Sequence, residues 1–225
     1  KPISRIGYGG RTNGWMLFPT RLPDMLEERR AVGTFHAPSG TSAAVARELE
    51  SLLRENHEVR VPPHCSWEVL WDLGNYYCAY PELVADGGKG AEVSWGWTES
   101  LRDGAGNKGN RNEWVGKTFA VGMEDVFCPD GRPNARFDTP WWRCGRWCRL
   151  KVKTESEPLV IRRIGICETR YPSEMSASFE CDDESLADVM RICRRGLECC
   201  THEMFFDCPY YEQQMYPGDS RVEFL

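Results

Sequence analysis

Between residues 55 and 173 the sequence is a series of short apolar runs separated by turn signals, and no helical pattern intervenes. The runs are rich in Trp, Val, Tyr and Leu, which suit the pleated, half-buried surface of a sheet. One of them, RWCRLKVKT, alternates apolar and charged residues as a half-buried strand does. We therefore predict a mainly β chain whose residues 55–173 form an antiparallel β-sandwich.

The individual strands are predicted from the turn residues that separate them. Three strands are expected between Ser66 and Trp97, with turns at Gly74-Asn75 and around Gly87. Further strands are expected in VGKTFAVG, DVFCPDG and PLVIRRIGICETRYP. The spacing of these short runs is typical of a sandwich built from hairpins.

The pattern changes beyond residue 173, where CDDESLADVMRICRRGLECCTHEMF is helical. Asp182 or Asp183 is the expected N-cap. Apolar residues recur at three- and four-residue steps and form one stripe, namely Leu186, Val189, Met190, Cys193, Leu197 and Cys200. A lone amphipathic helix cannot bury its stripe by itself. We therefore expect residues 174–225 to begin a helical domain that continues beyond residue 225.

Residues 1–54 are predicted to form a connector from a preceding domain. Their first part is rich in Gly, Pro and Arg, and each proline removes a hydrogen-bond donor and disfavours helix before it. AAVARELESLL has a short helical pattern, and an excursion between strands is the alternative. The chain lacks an initiator Met and a signal-like opening, so we expect it to be a piece of a longer protein.

Charge and hydropathy argue against two classes of binding partner, nucleic acids and membranes. The formal net charge of −6 argues against nucleic acid and anionic membranes, because phosphate binding needs clustered Lys and Arg. No apolar run is long enough to cross a membrane. A membrane partner is therefore not expected.

The chain contains eleven cysteines, and because this number is odd they cannot all pair within the chain. Metal binding is the alternative role for two groups, Cys144 with Cys148, and the cluster of Cys199, Cys200, His202 and Cys208. Neither contains a CxxC pair or a structural zinc spacing. We predict no metal and no cofactor, and thiols that are reduced and mostly structural, with Cys193 and Cys200 buried by the helix. That favours a reducing, cytoplasmic compartment.

The stretch FFDCPYYEQQMYPGDSR sets three carboxylates, Asp207, Glu212 and Asp219, among tyrosines and prolines. Aromatic packing around Glu212 would desolvate its carboxyl group and raise its pKa, as a general acid requires. The prolines favour turns that could project the acids into a cleft. Two carboxylates with aromatic rings suit glycoside hydrolysis. The alternative is that the acids are solvated charges and the tyrosines belong to the core.

The block DCPYYEQQMYPGD resembles the signature of the bacterial-type α-L-rhamnosidase family, D-C-P-x-R-D-E-R-x-G-W-x-G-D, at the entrance to an (α/α)6 barrel. Three upstream segments are similar to the parts of the family that precede this barrel: LFPTRLPDM, WDLGNYYCAYPELVADGGKGAEVSWGWTESL and PWWRCGRW. The resemblance implies a sandwich followed by the first helix of a truncated barrel.

The resemblance also implies roles for four residues. Counting back from the Gly-Asp pair, Glu212 matches the general acid of the family. Asp207 and Asp219 match acidic positions that accept hydrogen bonds from sugar hydroxyls. Tyr216 matches a Trp that provides a stacking surface. These four residues are the candidate site.

The implied activity is hydrolysis of terminal α-L-rhamnosyl residues by inversion, which needs two carboxylates. The family's base lies further along the barrel, so this chain alone is expected to be inactive; its partner would be a rhamnose-containing glycoside. The family's Arg is replaced by Tyr210 or Tyr211, which leaves a related glycosidase of other specificity open. A second alternative is a non-catalytic carbohydrate-binding sandwich. Its stacking platforms would be Trp95, Trp97, Trp141 and Trp142, unless those rings belong to the core.

Overall fold

The computed structural model describes residues 7–8, 11–12, 20–55, 57–120, 122–174 and 178–223. In chain order, the helices and strands of these residues are β1 (Gly7–Tyr8), β2 (Arg11–Thr12), β3 (Leu26–Arg30), β4 (Thr34–His36), α1 (Ala43–Arg54), β5 (Val59–Val61), β6 (Ser66–Gly87), β7 (Glu92–Thr98), β8 (Met123–Phe127), β9 (Ala135–Arg136), β10 (Arg143–Lys153), β11 (Leu159–Arg170), α2 (Glu184–Cys200) and α3 (Pro217–Glu223).

The long strand β6 is the centre of the fold. Its neighbours are β10 and β11, and the main path through the sheet runs β3-β11-β6-β10-β7-β8. The short strands β4 and β9 also pair with β6, while β5 pairs with β11. Every one of these pairs is antiparallel. This architecture confirms the predicted class, a mainly β chain with an antiparallel sandwich.

The predicted turn at Gly74-Asn75 is wrong, because β6 runs through it as one strand. In the ladder with β10, Asp72 faces Trp147 and Tyr77 faces Gly145, so residues 73–76 lie opposite a single residue. The turn residues therefore form a bulge, which bends a strand without ending it. Two strands, β6 and β7, stand where three were expected.

A second strand prediction also differs from the structure. The described residues of VGKTFAVG form no strand; Thr118 makes only an isolated bridge with Arg102. By contrast, the alternation in RWCRLKVKT is confirmed within β10, where Cys148, Leu150 and Val152 are all buried. Alternation over several residues therefore proved a better guide than β-forming composition alone.

The main core lies between β6, β7, β10 and β11 and is closed on one side by α1. Ser42 caps α1 by accepting a hydrogen bond from the amide of Ala44. Leu49 and Leu52 on the inner face of α1 are buried. Each such side chain stabilises the fold by roughly 1.5–3 kcal/mol relative to an exposed one. The helical interpretation of this segment is confirmed.

Residues 26–54, which the sequence assigns to the connector, pair with the sheet of the sandwich. Strand β3 pairs with β11, and strand β4 pairs with β6. The ring of Phe35 stacks on Trp71, with centroids 4.8 Å apart. Of residues 1–19, only 7–8 and 11–12 are described, so most of the proline-rich connector lies outside the described residues.

Helix α2 begins after Asp183, whose carboxylate accepts a hydrogen bond from the amide of Ser185. Its predicted stripe is largely uncovered. Leu186, Val189 and Met190 are exposed, and so is Cys193, which was expected to be buried. Only Cys199 of this helix is buried. The reason is that α2 contacts the sheet near its C-terminal end, through β6 and through the ion pair of Arg195 with Glu168 of β11.

No helix among the described residues is both long and apolar enough to span a membrane.

Candidate functional site

The acid-bearing segment after α2 is anchored to the sandwich by a second, smaller core. Phe206 and Tyr210 are buried in it, packed with Trp142 and Cys144 of the sheet. The hydroxyl of Tyr210 donates a hydrogen bond of 3.0 Å to the carbonyl of Trp97. The thiol of Cys144 donates one of 2.8 Å to the carbonyl of Pro209. These contacts fix the position of the loop that follows.

Residues 207–214 form a closed loop whose two ends are hydrogen-bonded to each other. The amide of Asp207 donates to the carbonyl of Gln214 at 3.0 Å, and the amide of Gln214 donates to Oδ1 of Asp207 at 3.3 Å. Gln213 adopts φ of 49° at the reversal of the chain. Its side chain accepts a hydrogen bond of 2.9 Å from the indole of Trp141. The loop is therefore tied to the sheet from both sides of Glu212.

Asp207 and Glu212 come together in this loop beside Cys208. One ligand atom of each of the three residues lies within 4.8 Å of the others. Slight burial raises the pKa of Asp207, but hydrogen bonds from the amide of Cys208 and from the Glu212 side chain outweigh it and hold that pKa below its ordinary value. Geometrically the trio could also ligate a metal ion, although both carboxylates are exposed.

Tyr216 completes the group around Glu212. Its hydroxyl donates a hydrogen bond of 2.6 Å to Oε2 of Glu212. The hydrogen bond to this carboxylate raises the pKa of Tyr216 to about 12, because losing the phenolic proton would place two anions side by side. Its edge therefore contacts the acid, while its ring is partly exposed.

The expected desolvation of Glu212 by aromatic rings is not found. Glu212 is exposed, because Tyr210 turns into the core and Tyr211 points to solvent. Tyr210 cannot contact a sugar from its buried position. The resemblance places Tyr210 or Tyr211 at the family's Arg position, and of these two only Tyr211 is exposed.

Asp219 lies apart from the Asp207–Glu212 pair, on the short helix α3. Pro217 and Gly218 were expected to favour a turn, and they instead begin this helix, as Pro commonly does at a first helical position. The amide of Asp219 donates a hydrogen bond of 3.1 Å to the carbonyl of Tyr216. Asp219 is exposed. Asp219 is therefore connected to the site through Tyr216, which contacts both Asp219 and Glu212.

Three of the four candidate stacking tryptophans belong to the core. Trp95, Trp97 and Trp142 are buried, whereas Trp141 is 40% exposed. Only Trp141 could offer its face to a sugar, and it stacks on Trp142 with centroids 5.5 Å apart. The carbohydrate-binding alternative therefore loses most of its proposed platforms.

Sequence reasoning missed two residues that shape the site. Gln213 links the loop to Trp141, and the Cys208 sulfur accepts a hydrogen bond of 3.3 Å from the amide of Glu212. The sequence places Cys208 in the DCP motif and in a loose cluster with His202, and neither predicts its contact with Glu212. No sequence signal indicates the Gln213 contact, because its partner lies 72 residues away.

Residues 174–225 match a protein family described as the bacterial alpha-L-rhamnosidase 6 hairpin glycosidase domain. This match confirms the resemblance that the DCP motif predicts. A search of curated proteins found no match.

Two solved structures have a similar fold. A GH78 family rhamnosidase of Bacillus sp. GL1 has a TM-score of 0.62 and 24% identity, over 79% of this chain and 18% of that one. A rhamnosidase from Klebsiella oxytoca with rhamnose bound has a TM-score of 0.63 and 17% identity, over 90% of this chain and 40% of that one. The chain thus spans less than half the length of either structure.

Proposed function

We propose that this chain contributes the general acid to a glycoside hydrolase of the bacterial α-L-rhamnosidase type, which removes terminal α-L-rhamnosyl residues. The observation that carries the proposal is the family match over residues 174–225, which contain the loop bearing Glu212. The exposed carboxyl group of Glu212, held beside a second carboxylate and a phenol, supports it.

Glu212 is the proton donor in this proposal. A general acid must reach the glycosidic oxygen, so its carboxyl group has to lie at an open surface on a fixed support. Glu212 meets both conditions, since its side chain is exposed while the loop ends are closed by Asp207 and Gln214. The Tyr216 hydroxyl occupies Oε2, which leaves Oε1 to carry the transferred proton.

The neighbouring residues bind the sugar. Asp207 is an ionised acceptor for sugar hydroxyls, consistent with its lowered pKa. Tyr216 presents part of its ring for the apolar face of a pyranose, and Asp219 supplies a further acceptor at the start of α3. In an inverting reaction, water attacks from the opposite face with the help of a second carboxylate about 6.5–9.5 Å from the acid. We assign that base to no residue of this chain.

The domain organisation is part of the same proposal. Residues 55–173 are the body of the sandwich, extended by strands and a helix from residues 26–54, and residues 174–225 begin the helical catalytic domain. The exposed stripe on α2 supports this, because Leu186, Val189 and Met190 would be covered by further helices of such a domain.

The test is Glu212→Gln in the full-length protein, assayed on an aryl α-L-rhamnoside. The amide cannot donate the required proton, so turnover is expected to fall by at least about a hundred-fold, the usual contribution of general acid catalysis. Glu203→Gln is the matched control, because Glu203 is also exposed and lies in the same segment. Circular dichroism checks that both variants fold.

Unchanged turnover in Glu212→Gln would refute the assignment of the acid. A panel of aryl glycosides tests the sugar separately, since the Tyr substitution at the family's Arg position affects recognition. If another glycoside is cleaved faster than the rhamnoside, the proposed mechanism stands but the proposed substrate is wrong. The 225-residue chain alone is expected to show no turnover.

A further inference from the structure

Three buried thiols meet where α2 joins the sandwich. Cys78 of β6 and Cys144 of β10 face each other across the strands, and Cys199 lies near the end of α2. All three are at most 6% exposed. The Cys78 thiol donates a hydrogen bond of 3.3 Å to the carbonyl of Cys199, and it interacts with both other thiols. It is therefore the central thiol of the three.

The three thiols have different surroundings. Cys144 is engaged on both sides, donating to the Pro209 carbonyl at 2.8 Å and accepting from the Tyr76 hydroxyl at 3.3 Å. Cys199 instead lines a cavity of about 590 Å³ between α2 and the sheet, whose wall also includes Tyr76, Arg195 and Gly196. A small molecule entering this cavity would meet Cys199 before Cys78.

The charge near Cys199 favours its thiolate. The neighbouring Cys78 thiol and the positive Arg195 guanidinium hold the pKa of Cys199 below its ordinary value, although burial and the Glu168 and Glu198 carboxylates oppose them. Burial raises the pKa of Cys78 well above its ordinary value. Because the thiolate is the reactive form, Cys199 is the attacking thiol and Cys78 the resolving one.

We propose that Cys199 and Cys78 form a dithiol site that small organic disulfides oxidise reversibly, linking α2 to β6. The Cys199 thiolate attacks one sulfur of the small disulfide, whose S–S bond breaks; the departing thiolate takes up a proton. The Cys78 thiol then loses its proton to solvent and attacks the Cys199 sulfur, which releases the second small thiol. Two protein thiols become one disulfide, and one small disulfide becomes two thiols.

The link would join the two parts of the chain beside the proposed catalytic loop. Cys199 and Cys78 belong to the same small core as Tyr210, which anchors residues 207–214. A covalent bond there would restrict separation of α2 from the sheet, so the oxidised protein is expected to unfold at a higher temperature than the reduced one.

The test treats the folded full-length protein with oxidised glutathione and maps the products by non-reducing tryptic digestion and mass spectrometry. Cys78 falls in peptide 61–89, Cys199 in peptide 196–221 and Cys144 in peptide 144–146. The expected major product joins peptides 61–89 and 196–221 with loss of two hydrogen atoms. Dithiothreitol should separate them again.

Serine variants assign the bond, because the two peptides contain further cysteines. Cys199→Ser and Cys78→Ser should each abolish the cross-link. Cys78→Ser should also leave a glutathione adduct on Cys199. Cys200→Ser and Cys65→Ser are matched controls, adjacent to Cys199 or on the same peptide as Cys78, and should retain the link.

Two results would overturn the proposal. One is a major cross-link between peptides 61–89 and 144–146, which would make Cys144 the partner of Cys78. The other is no internal cross-link at all while the exposed Cys128 and Cys181 carry glutathione. Both results can be observed with the protein that carries no serine substitution, so the test remains valid even where a serine variant fails to fold.

Discussion

The indole of Trp142 lies parallel to the imidazole of His202, with ring centroids 4.2 Å apart and planes inclined by 12°. Trp142 precedes β10, whereas His202 follows α2, so the stack joins the sandwich to the acid-bearing segment. Phe206 packs edge-on against the same indole. This junction supports the loop that carries Glu212.

The His202 imidazole should make the stability of the protein sensitive to mild acid. Burial lowers the pKa of His202 to about 4, and the backbone of Cys199 offsets only part of that effect. Within the described residues, neither ring nitrogen makes a regular hydrogen bond. An unfolded histidine has its ordinary pKa of 6.5. As pH falls from 6.5 towards 4, the unfolded state binds a proton that the folded state does not, and stability should fall by about 3 kcal/mol.

His202→Phe isolates this contribution, because Phe can stack on Trp142 and cannot titrate. The free energy of unfolding, measured in urea across this pH range, should lose the His202 part of its pH dependence. The same substitution at the exposed His57 is the control and should retain it. Parallel profiles for the native protein and His202→Phe would contradict the assignment.

The neighbouring tryptophans 141 and 142 should differ sharply in their contribution to stability. Trp142 is 2% exposed in the second core, so Trp142→Ala should lower the free energy of unfolding by about 4 kcal/mol. Trp141→Ala should lower it by less than about 1 kcal/mol, because that ring is partly exposed. Urea denaturation of both variants measures the difference, and equal losses would disprove the placement.

Glu168 is buried between two arginines that hold different parts of the fold together. Its carboxylate lies 2.9 Å from Arg30 of β3 and 2.8 Å from Arg195 of α2. Glu168→Gln removes the buried anion that the two arginines share, although Arg30 keeps Glu28 and Arg195 keeps Glu198. The loss of these charged hydrogen bonds should destabilise the protein by about 2 kcal/mol. Glu155→Gln is the control, because Glu155 pairs with Lys153 in solvent and its loss should not be measurable. Denaturant titration compares the two, and similar stability would argue against the buried pair.

The hydroxyl of Tyr210 should matter for stability and that of Tyr211 should not. Tyr210→Phe removes the buried hydrogen bond to the Trp97 carbonyl and should lower the free energy of unfolding by about 1.5 kcal/mol. Tyr211→Phe changes an exposed phenol and serves as the adjacent control. Thermal and urea unfolding measure the effect. A larger loss of stability in Tyr211→Phe than in Tyr210→Phe would contradict the buried position of Tyr210 and the exposed position of Tyr211.

Local periodicity predicted much of the secondary structure. Alternation along residues 146–154 predicted β10, and steps of three and four residues predicted α2 with Asp183 among the expected caps. These signals are reliable because one face of each element differs chemically from the other. Turn residues were a poorer guide at Gly74, because pairing with β10 on both sides of the bulge keeps β6 a single strand.

The candidate site, too, was predictable from the sequence only in part. The sequence by itself determined the fold class, and it carried the resemblance that makes Glu212, Asp207, Tyr216 and Asp219 the candidate residues, because motif and spacing are local properties. Only the tertiary structure decided that Glu212 is exposed, that Tyr216 donates to it and that Tyr210 points away from it. Those outcomes depend on which side chains the second core can bury. Its members come from β6, residues 142–144 and residues 199–210, which only the folded chain brings together.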